Sequence, residues 1–262
     1  MTPLAQQIAV VTGGSQGIGR GVCLRLARDG ARVAILDIGD AAETRELIAD
    51  LGGESWYAQT DIADPAAIER AFAQLESDWG PPRALANVAG VFDDVPFLDT
   101  SEAVWDRHMD INAKGMFFCC QSAARRMRAS GGGRIVNILS TAAAQGFALE
   151  SAYCASKGAA LLLTRTLSVE LAADGIVVNG VGPGTIQTEM GADYLAGGPI
   201  ADHELSRTPL GRFGQPEDIA EAVAWLLSDA RWLTGQVIYV DGGFMAAGLP
   251  YLDGLDRPAV AT

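Results

Sequence analysis

The chain has 262 residues, 49% hydrophobic and 19% charged, a balance that suits a folded globular domain and excludes an intrinsically disordered one. A net charge of −13 argues against a nucleic-acid or anionic-membrane surface. No apolar run approaches the ~20 residues of a bilayer-spanning helix, and no signal-peptide pattern opens the chain. The four cysteines, Cys23, Cys119, Cys120 and Cys154, lack zinc-ligand spacing and read as reduced thiols of a cytoplasmic protein.

The first element is Ile8–Thr12, a β-branched run that reads as a buried parallel strand. It breaks into glycines, and a helical pattern follows from Ile18 to Arg28. Strand, glycine turn and helix in that order leave unpaired backbone N–H groups at a helix start, where a pyrophosphate binds. Gly13, Gly17 and Gly19 have the spacing G-x-x-x-G-x-G, one residue longer than the dinucleotide fingerprint. The next strand, Arg32–Asp37, ends in a carboxylate 18 positions after Gly19. A carboxylate there accepts hydrogen bonds from an adenosine ribose 2′-hydroxyl and repels a 2′-phosphate. Gln16, inside the glycine loop, offers that phosphate no cation, so the expected cofactor is NAD. A capping or loop aspartate is the plainer reading of Asp37.

Helices at Ala41–Leu51 and Pro65–Trp79 flank a strand at Ser55–Gln59, and Pro65 suits a first helical turn. Strands at Ala84–Asn87, Arg134–Leu139, Val177–Val181 and Val237–Val240 then alternate with helices at Ser101–Arg128, Ser151–Ala173 and Pro216–Leu227. This alternation predicts one α/β domain over residues 1–262, a Rossmann-type doubly wound sheet of about seven parallel strands with helices on both faces. Asn112, a poor helix former, falls inside the helical pattern 101–128. The stretch Gly182–Gly214 has no clean period and follows a strand's carboxyl end, the edge where ligands sit, so it reads as a substrate loop. In the tail, residues 246–262, Leu249, Tyr251 and Leu252 either fold over a pocket or fray. His108 and His203 are isolated and read as ordinary surface or core histidines. No His/Asp/Glu cluster suggests a metal.

The pair with the most chemical content is Tyr153 and Lys157. Residues at i and i+4 share a helix face, so phenol and ammonium can meet. A free tyrosine loses its proton only near pH ~10, and a neighbouring cation lowers that value. An aromatic ring packed on a lysine stem would have the same spacing.

The ordered set Thr12-Gly-Gly-Ser-Gln-Gly-Ile-Gly19, Asp61, Asn87-Val-Ala-Gly90, Asn112, Ser140, Tyr153-x-x-x-Lys157 and Pro183-Gly184 resembles the short-chain dehydrogenase/reductase family over nearly the whole chain. Ser140 lies 13 residues before Tyr153, as that family's pattern requires. The resemblance implies an NAD-dependent oxidoreductase interconverting a secondary alcohol and a ketone. Tyr153 would be its acid–base group, with Lys157 lowering the phenol pKa and gripping the nicotinamide ribose. Ser140 would orient the substrate oxygen, and Asn112 would open a kink and hold a water that feeds protons towards the lysine. In the glycine loop, Ser15, Gln16 and Ile18 join the three glycines as cofactor contacts. Asp61 would hold the adenine amino group beside Ile62, with a helix cap ahead of Pro65 as the alternative. Asn87, Ala89 and Gly90 would line the cofactor at the fourth strand, although Val88 stands where many members have asparagine. Pro183, Gly184, Ile186 and Thr188 would hold the carboxamide.

The expected pocket includes Val91, Phe92, Ala142, Gln145, Phe147, Leu149, Met190, Tyr194 and Leu195. It is mostly apolar and suits a small hydrophobic, aromatic or alicyclic substrate. Family members that reduce 3-oxoacyl carrier-protein thioesters usually carry basic residues where this chain has Gln16 and Asp174, which counts against that alternative. A sugar or polyol dehydrogenase and a non-catalytic NAD-binding sensor are further alternatives. The small apolar faces at Phe117–Ala124 and Ala159–Leu167 resemble the family's interface and imply a homotetramer.

Overall fold

Seven parallel strands form one sheet in the order β3-β2-β1-β4-β5-β6-β7 in the computed structural model, which describes residues 4–191 and 197–247. They are β1 (Ile8–Thr12), β2 (Arg32–Asp37), β3 (Ser55–Gln59), β4 (Ala84–Asn87), β5 (Gly133–Ile138), β6 (Ile176–Pro183) and β7 (Val237–Val240). The helices are α1 (Gly17–Arg28), α2 (Ala42–Asp50), α3 (Pro65–Asp78), α4 (Glu102–His108), α5 (Met116–Ala129), α6 (Ser151–Glu170), α7 (Pro199–Ser206) and α8 (Pro216–Ser228). No helix among the described residues is long and apolar enough to cross a membrane.

The period-2 alternation of side chains divides each central strand between two cores. Ala9, Val11, Val33 and Ile35 join Val22 and Leu26 of α1 and Ile219 and Val223 of α8 on one face. Ile8, Val10, Ala34 and Leu36 join Ile68, Phe72 and Leu75 of α3 and Cys119 and Met127 of α5 on the other. Burial on both faces explains why these strands read as continuous apolar runs. Between the layers, Asn87 Nδ2 donates to Asn137 Oδ1 at 2.8 Å, and Asn137 Nδ2 donates to Thr164 Oγ1 at 3.0 Å. The same Asn87 amide points at Cys120 Sγ, so its side chain braces β4 against β5.

Strand order reverses between β1 and β4, and in open α/β sheets ligands bind in the crevice at that switch. Thr12 Oγ1 closes the crevice floor by accepting from the backbone N–H groups of Val88 (3.0 Å) and Ala89 (3.2 Å). The expected elements agree with the observed ones to within a few residues, with two exceptions. The helix expected over 101–128 is interrupted by a π-helical segment, Met109–Gly115, that contains Asn112. The substrate loop contains α7, eight residues long and starting at Pro199 behind Gly198 at φ +111°. So short an element leaves too little apolar periodicity to be seen in the sequence.

Phe72 is completely buried between α3 and the sheet. Phe72→Ala should lower the unfolding free energy by about 3–5 kcal/mol, read by chemical denaturation. A loss under about 1 kcal/mol would mean that this core layer collapses around the gap.

Candidate active site

The β1–α1 turn is built around glycines for two reasons. Gly17 has φ +51°, where an L side chain is strained, and a Cβ on Gly19 would lie 1.8 Å from the Gly13 carbonyl oxygen. This contact seats the start of α1 directly on the end of β1. The residue preceding the helix, Gln16, has extended backbone and gives no side-chain cap, so the first-turn N–H groups stay open to a ligand. Thr188 lies across the turn, its Cγ2 3.3 Å from a Cβ placed on Gly17.

Asp37 stands beside this turn at the end of β2. Its Oδ2 accepts from Ser15 N and its Oδ1 from Gly39 N, each at 2.9 Å, and each oxygen keeps a free lone pair. The nearby cation, Arg20, is turned back onto Glu43 at 2.7 Å and the Ser15 carbonyl at 2.8 Å. Asp61 is exposed after β3 and accepts from Ala63 N at 2.9 Å. The cap of α3 is Asp64 instead. Ile62 and Ile186 have buried side chains, so their backbones alone are available to a ligand. Pro183 ends β6, and a Cβ on Gly184 would lie 2.9 Å from Asp241 Cα.

At the end of β4, Asn112 is clamped to the backbone of Val91, whose N–H donates to its Oδ1 at 2.8 Å and whose carbonyl accepts from its Nδ2 at 2.9 Å. The same Nδ2 lies 3.0 Å from Ser156 Oγ of α6. The π turn supplies the offset that aims Asn112 inward. Gly90 closes the group: a Cβ there would lie 3.1 Å from Asn112 Oδ1 and 3.5 Å from Lys157 Nζ. Ala89 packs against Gly13 across the crevice. These observations fit a nicotinamide dinucleotide, with an uncapped helix start for the pyrophosphate, a carboxylate for a ribose, and a cradle between Gly90 and Lys157 that a side chain would fill.

Lys157 is 5% exposed, and its ammonium donates to the Ile138 carbonyl at 3.0 Å. Its Nζ lies 5.7 Å from the centre of the Tyr153 ring. Burial without a carboxylate pulls the Lys157 pKa down to about 8. Burial also pushes the Tyr153 phenol up to about 12, and the Ser140 hydrogen bond offsets only part of that rise. Burial thus disfavours the charged forms of both groups. Ser140 also accepts from Ala142 N at 3.1 Å, which turns the chain after β5.

Around Tyr153 the pocket differs from its apolar expectation. Phe92 packs edge-on against the Tyr153 ring at 4.9 Å, and Phe147 stacks at 6.0 Å on Phe244, which follows β7. Ala142 is buried, Gln145 half-buried, and Leu149 and Met190 are exposed. Leu149 holds φ +69°, and its carbonyl accepts from Val95 N at 2.8 Å, which brings the loop after β4 against the start of α6. That junction gathers charge. Burial first, then Asp94 and Glu204, push the Glu150 carboxyl up to about 7. Tyr194, Leu195, Leu249, Tyr251 and Leu252 lie outside the described residues.

Of the two places open to His108, surface or core, it takes the core: it is completely buried, with its ring 6.1 Å from that of Tyr153. Sequence reasoning passed over Asp94, Glu150, Glu204 and Phe244. Only Glu150 carried a legible signal, since it lies three residues before Tyr153 and so one helical turn away.

A family model described as enoyl-(acyl carrier protein) reductase matches residues 13–245. The chain is 37% identical over 239 residues to a 3-oxoacyl-[acyl-carrier-protein] reductase of Staphylococcus aureus, covering 90% of this chain and 96% of that one. It is 37% identical over 254 residues to a short-chain type dehydrogenase/reductase of Picea abies, covering 92% and 93%. Among solved structures, a provisionally named 2-deoxy-D-gluconate 3-dehydrogenase of Agrobacterium tumefaciens with bound NADP superposes with TM-score 0.88 at 36% identity, covering 94% of this chain and all of that one.

The depressed Lys157 pKa has a consequence for stability. Below about pH 8 the fold buries a charged ammonium, and the penalty fades as pH rises towards the ordinary value of 10.5. Lys157→Met should therefore be at least as stable as the parent at pH 7, with the gain shrinking by pH 10, in denaturation curves at both pH values. Clear destabilisation at pH 7 would show that the Ile138 hydrogen bond outweighs the burial cost.

Proposed function

The chain belongs to the short-chain dehydrogenase/reductase family, and within it we propose an NAD-dependent oxidoreductase that interconverts a secondary alcohol and a ketone. The observation that carries this reading is the convergence of Tyr153, Ser140, Lys157 and Asn112 on the crevice beside Gly90 and the uncapped start of α1. When bound, the nicotinamide supplies the hydride acceptor or donor.

The protein's own groups do the rest. Ser140 holds the substrate oxygen beside the Tyr153 phenol and restricts its approach. In oxidation Tyr153 takes the hydroxyl proton, and in reduction it returns one to the ketone oxygen. The buried phenol, near 12 before ligands arrive, favours the protonated form that reduction needs. Lys157 brings positive charge into the gap beside Gly90, where it stabilises a phenolate as water is excluded. Asn112, tied to Val91 and Ser156, holds the loop after β4 and α6 in one register.

Asp37 supports NAD over NADP, because a carboxylate at the end of β2 would repel a 2′-phosphate. Gln16 is neutral, Arg20 is neutralised by Glu43, and the next side chain, Ile38, is 66% exposed and apolar. The Staphylococcus aureus relative favours a second reading, reduction of carrier-protein thioesters. Against it, the turn that follows the catalytic helix presents the acidic Asp174, which pairs with Arg128 at 3.1 Å. A homotetramer would cover Leu162 and Val169, which stand exposed on α6.

Tyr153→Phe should reduce turnover of secondary alcohols by about 10²–10⁴-fold and leave NAD binding intact. A variant that keeps parental turnover removes the proposed acid–base group. The double substitution Asp37→Ser with Ile38→Arg should shift the NAD/NADP ratio of kcat/KM towards NADP by at least about tenfold. A parent enzyme that already prefers NADP contradicts the cofactor assignment.

A further inference from the structure

A charged pair stands beside the Asp37 end of the crevice. Ser15, Asp37 and Gly39 surround one spot there. Ser15 N donates to Asp37 Oδ2 at 2.9 Å, and a Cβ on Gly39 would lie 3.5 Å from both Asp37 Oδ1 and Ser15 Oγ. The other end of the Ser15 backbone is held by Arg20. The Ser15 carbonyl accepts from Arg20 Nη2 at 2.8 Å, from Arg20 Nε at 3.2 Å and from the Thr44 hydroxyl at 3.1 Å. Arg20 and Asp37 are therefore both direct neighbours of one residue, the guanidinium at its carbonyl and the carboxylate at its N–H.

What keeps the guanidinium there is α2. Glu43, in the first turn of that helix, accepts from Arg20 Nη1 at 3.0 Å and from Nη2 at 2.7 Å, a bidentate fork that fixes direction as well as charge. Thr44, the next residue, is completely buried and accepts from Arg20 Nε at 3.2 Å, which gives α2 a fixed point from which Glu43 reaches outward. The Arg20 side chain is 25% exposed and that of Glu43 68% exposed. An ion pair at the solvent edge contributes little to stability, so cutting it releases the guanidinium without disturbing the fold. The side chains flanking this spot add no positive charge, since Gln16 is neutral, Ile38 is exposed and apolar, and Asp40 is exposed and acidic.

Resting on the reading of Asp37 as the carboxylate that meets the adenosine ribose of NAD, we infer that Arg20 is a latent 2′-phosphate-binding cation and that Glu43 is the specificity-determining residue that withholds it. With Glu43 in place the guanidinium is engaged by a carboxylate and a carbonyl, and a 2′-phosphate meets the Asp37 charge alone. Without Glu43 the fork turns towards the anion, because a guanidinium matches phosphate as well as it matches carboxylate. Asp37 stays in place, so the preference for NAD narrows and does not invert. If the pair were only an ordinary surface contact between α1 and α2, its loss would leave cofactor choice unchanged.

The test is direct titration of the full chain with NADH and with NADPH, followed by nucleotide fluorescence, so that it stands apart from turnover. Glu43→Gln should raise the affinity for NADPH relative to NADH by about fivefold or more. Glu43→Ala, which removes both arms of the fork, should shift the ratio at least as far. The gain should shrink at high salt, as a contact between partly exposed charges does. Adding Arg20→Met should abolish it, and this double-mutant cycle assigns the effect to the guanidinium. An unchanged ratio in both Glu43 variants overturns the inference. So does an equal gain in the Arg20→Met background, which assigns the effect to the lost Glu43 charge alone. The parent's own ratio judges the cofactor reading. A parent that binds NADPH more tightly than NADH contradicts that reading and the withholding with it, whereas a parent that prefers NADH beside unmoved variants sinks the role of Glu43 alone.

Discussion

An ammonium held almost without solvent and without a carboxylate is the constraint on which the rest of this site depends. Among the described residues Lys157 is hydrogen-bonded only to the Ile138 carbonyl, and its surroundings make its charge costly. That cost is tolerable if the residue stays close to a gap where another negative or polar group arrives. Gly90 makes the gap by having no side chain, and Asn112 defines its wall. The π turn in the helix between α4 and α5 is the backbone's accommodation to that wall, since a regular α-helix would rotate Asn112 away from Val91.

The sheet topology carries the same logic outward. Because the strand order reverses between β1 and β4, the turn after β1 and the loop after β4 meet at one edge of the sheet. Thr12 ties them together, and the close approach of Gly19 to Gly13 sets α1 over the crevice with its amides open. Buried polar links such as Asn87–Asn137–Thr164 keep the central strands in register where apolar packing alone would leave latitude. The binding edge is thus formed by short turns held between two packed cores.

The charges around Tyr153 are of both signs. Lys157 Nζ lies 5.7 Å from the centre of the Tyr153 ring, Glu150 acts on the phenol with the opposite charge, and Arg107 pairs with Asp93. Burial first, and the charge of Glu150 to a lesser degree, keep the phenol protonated in the absence of ligand. These charges also explain why a pocket lined by Phe92, Phe147 and Phe244 is not simply apolar.

By itself the sequence determined the strand and helix order, the glycine turn, the carboxylate ending β2 and the Tyr153–Lys157 spacing, because those features depend on local periodicity and on residues within a turn or two of one another. It also showed that Asn112 sat badly in a helix. Only the tertiary structure decided that this misfit is a π segment, that Asn87 faces β5, that burial dominates the Tyr153 and Lys157 pKa values, and that α7 rises within the aperiodic loop. The bidentate pairing of Arg20 with Glu43 belongs to the same class, since those residues are 23 positions apart in the chain. Burial and the meeting of distant charges are properties of packing, and no window of sequence contains them.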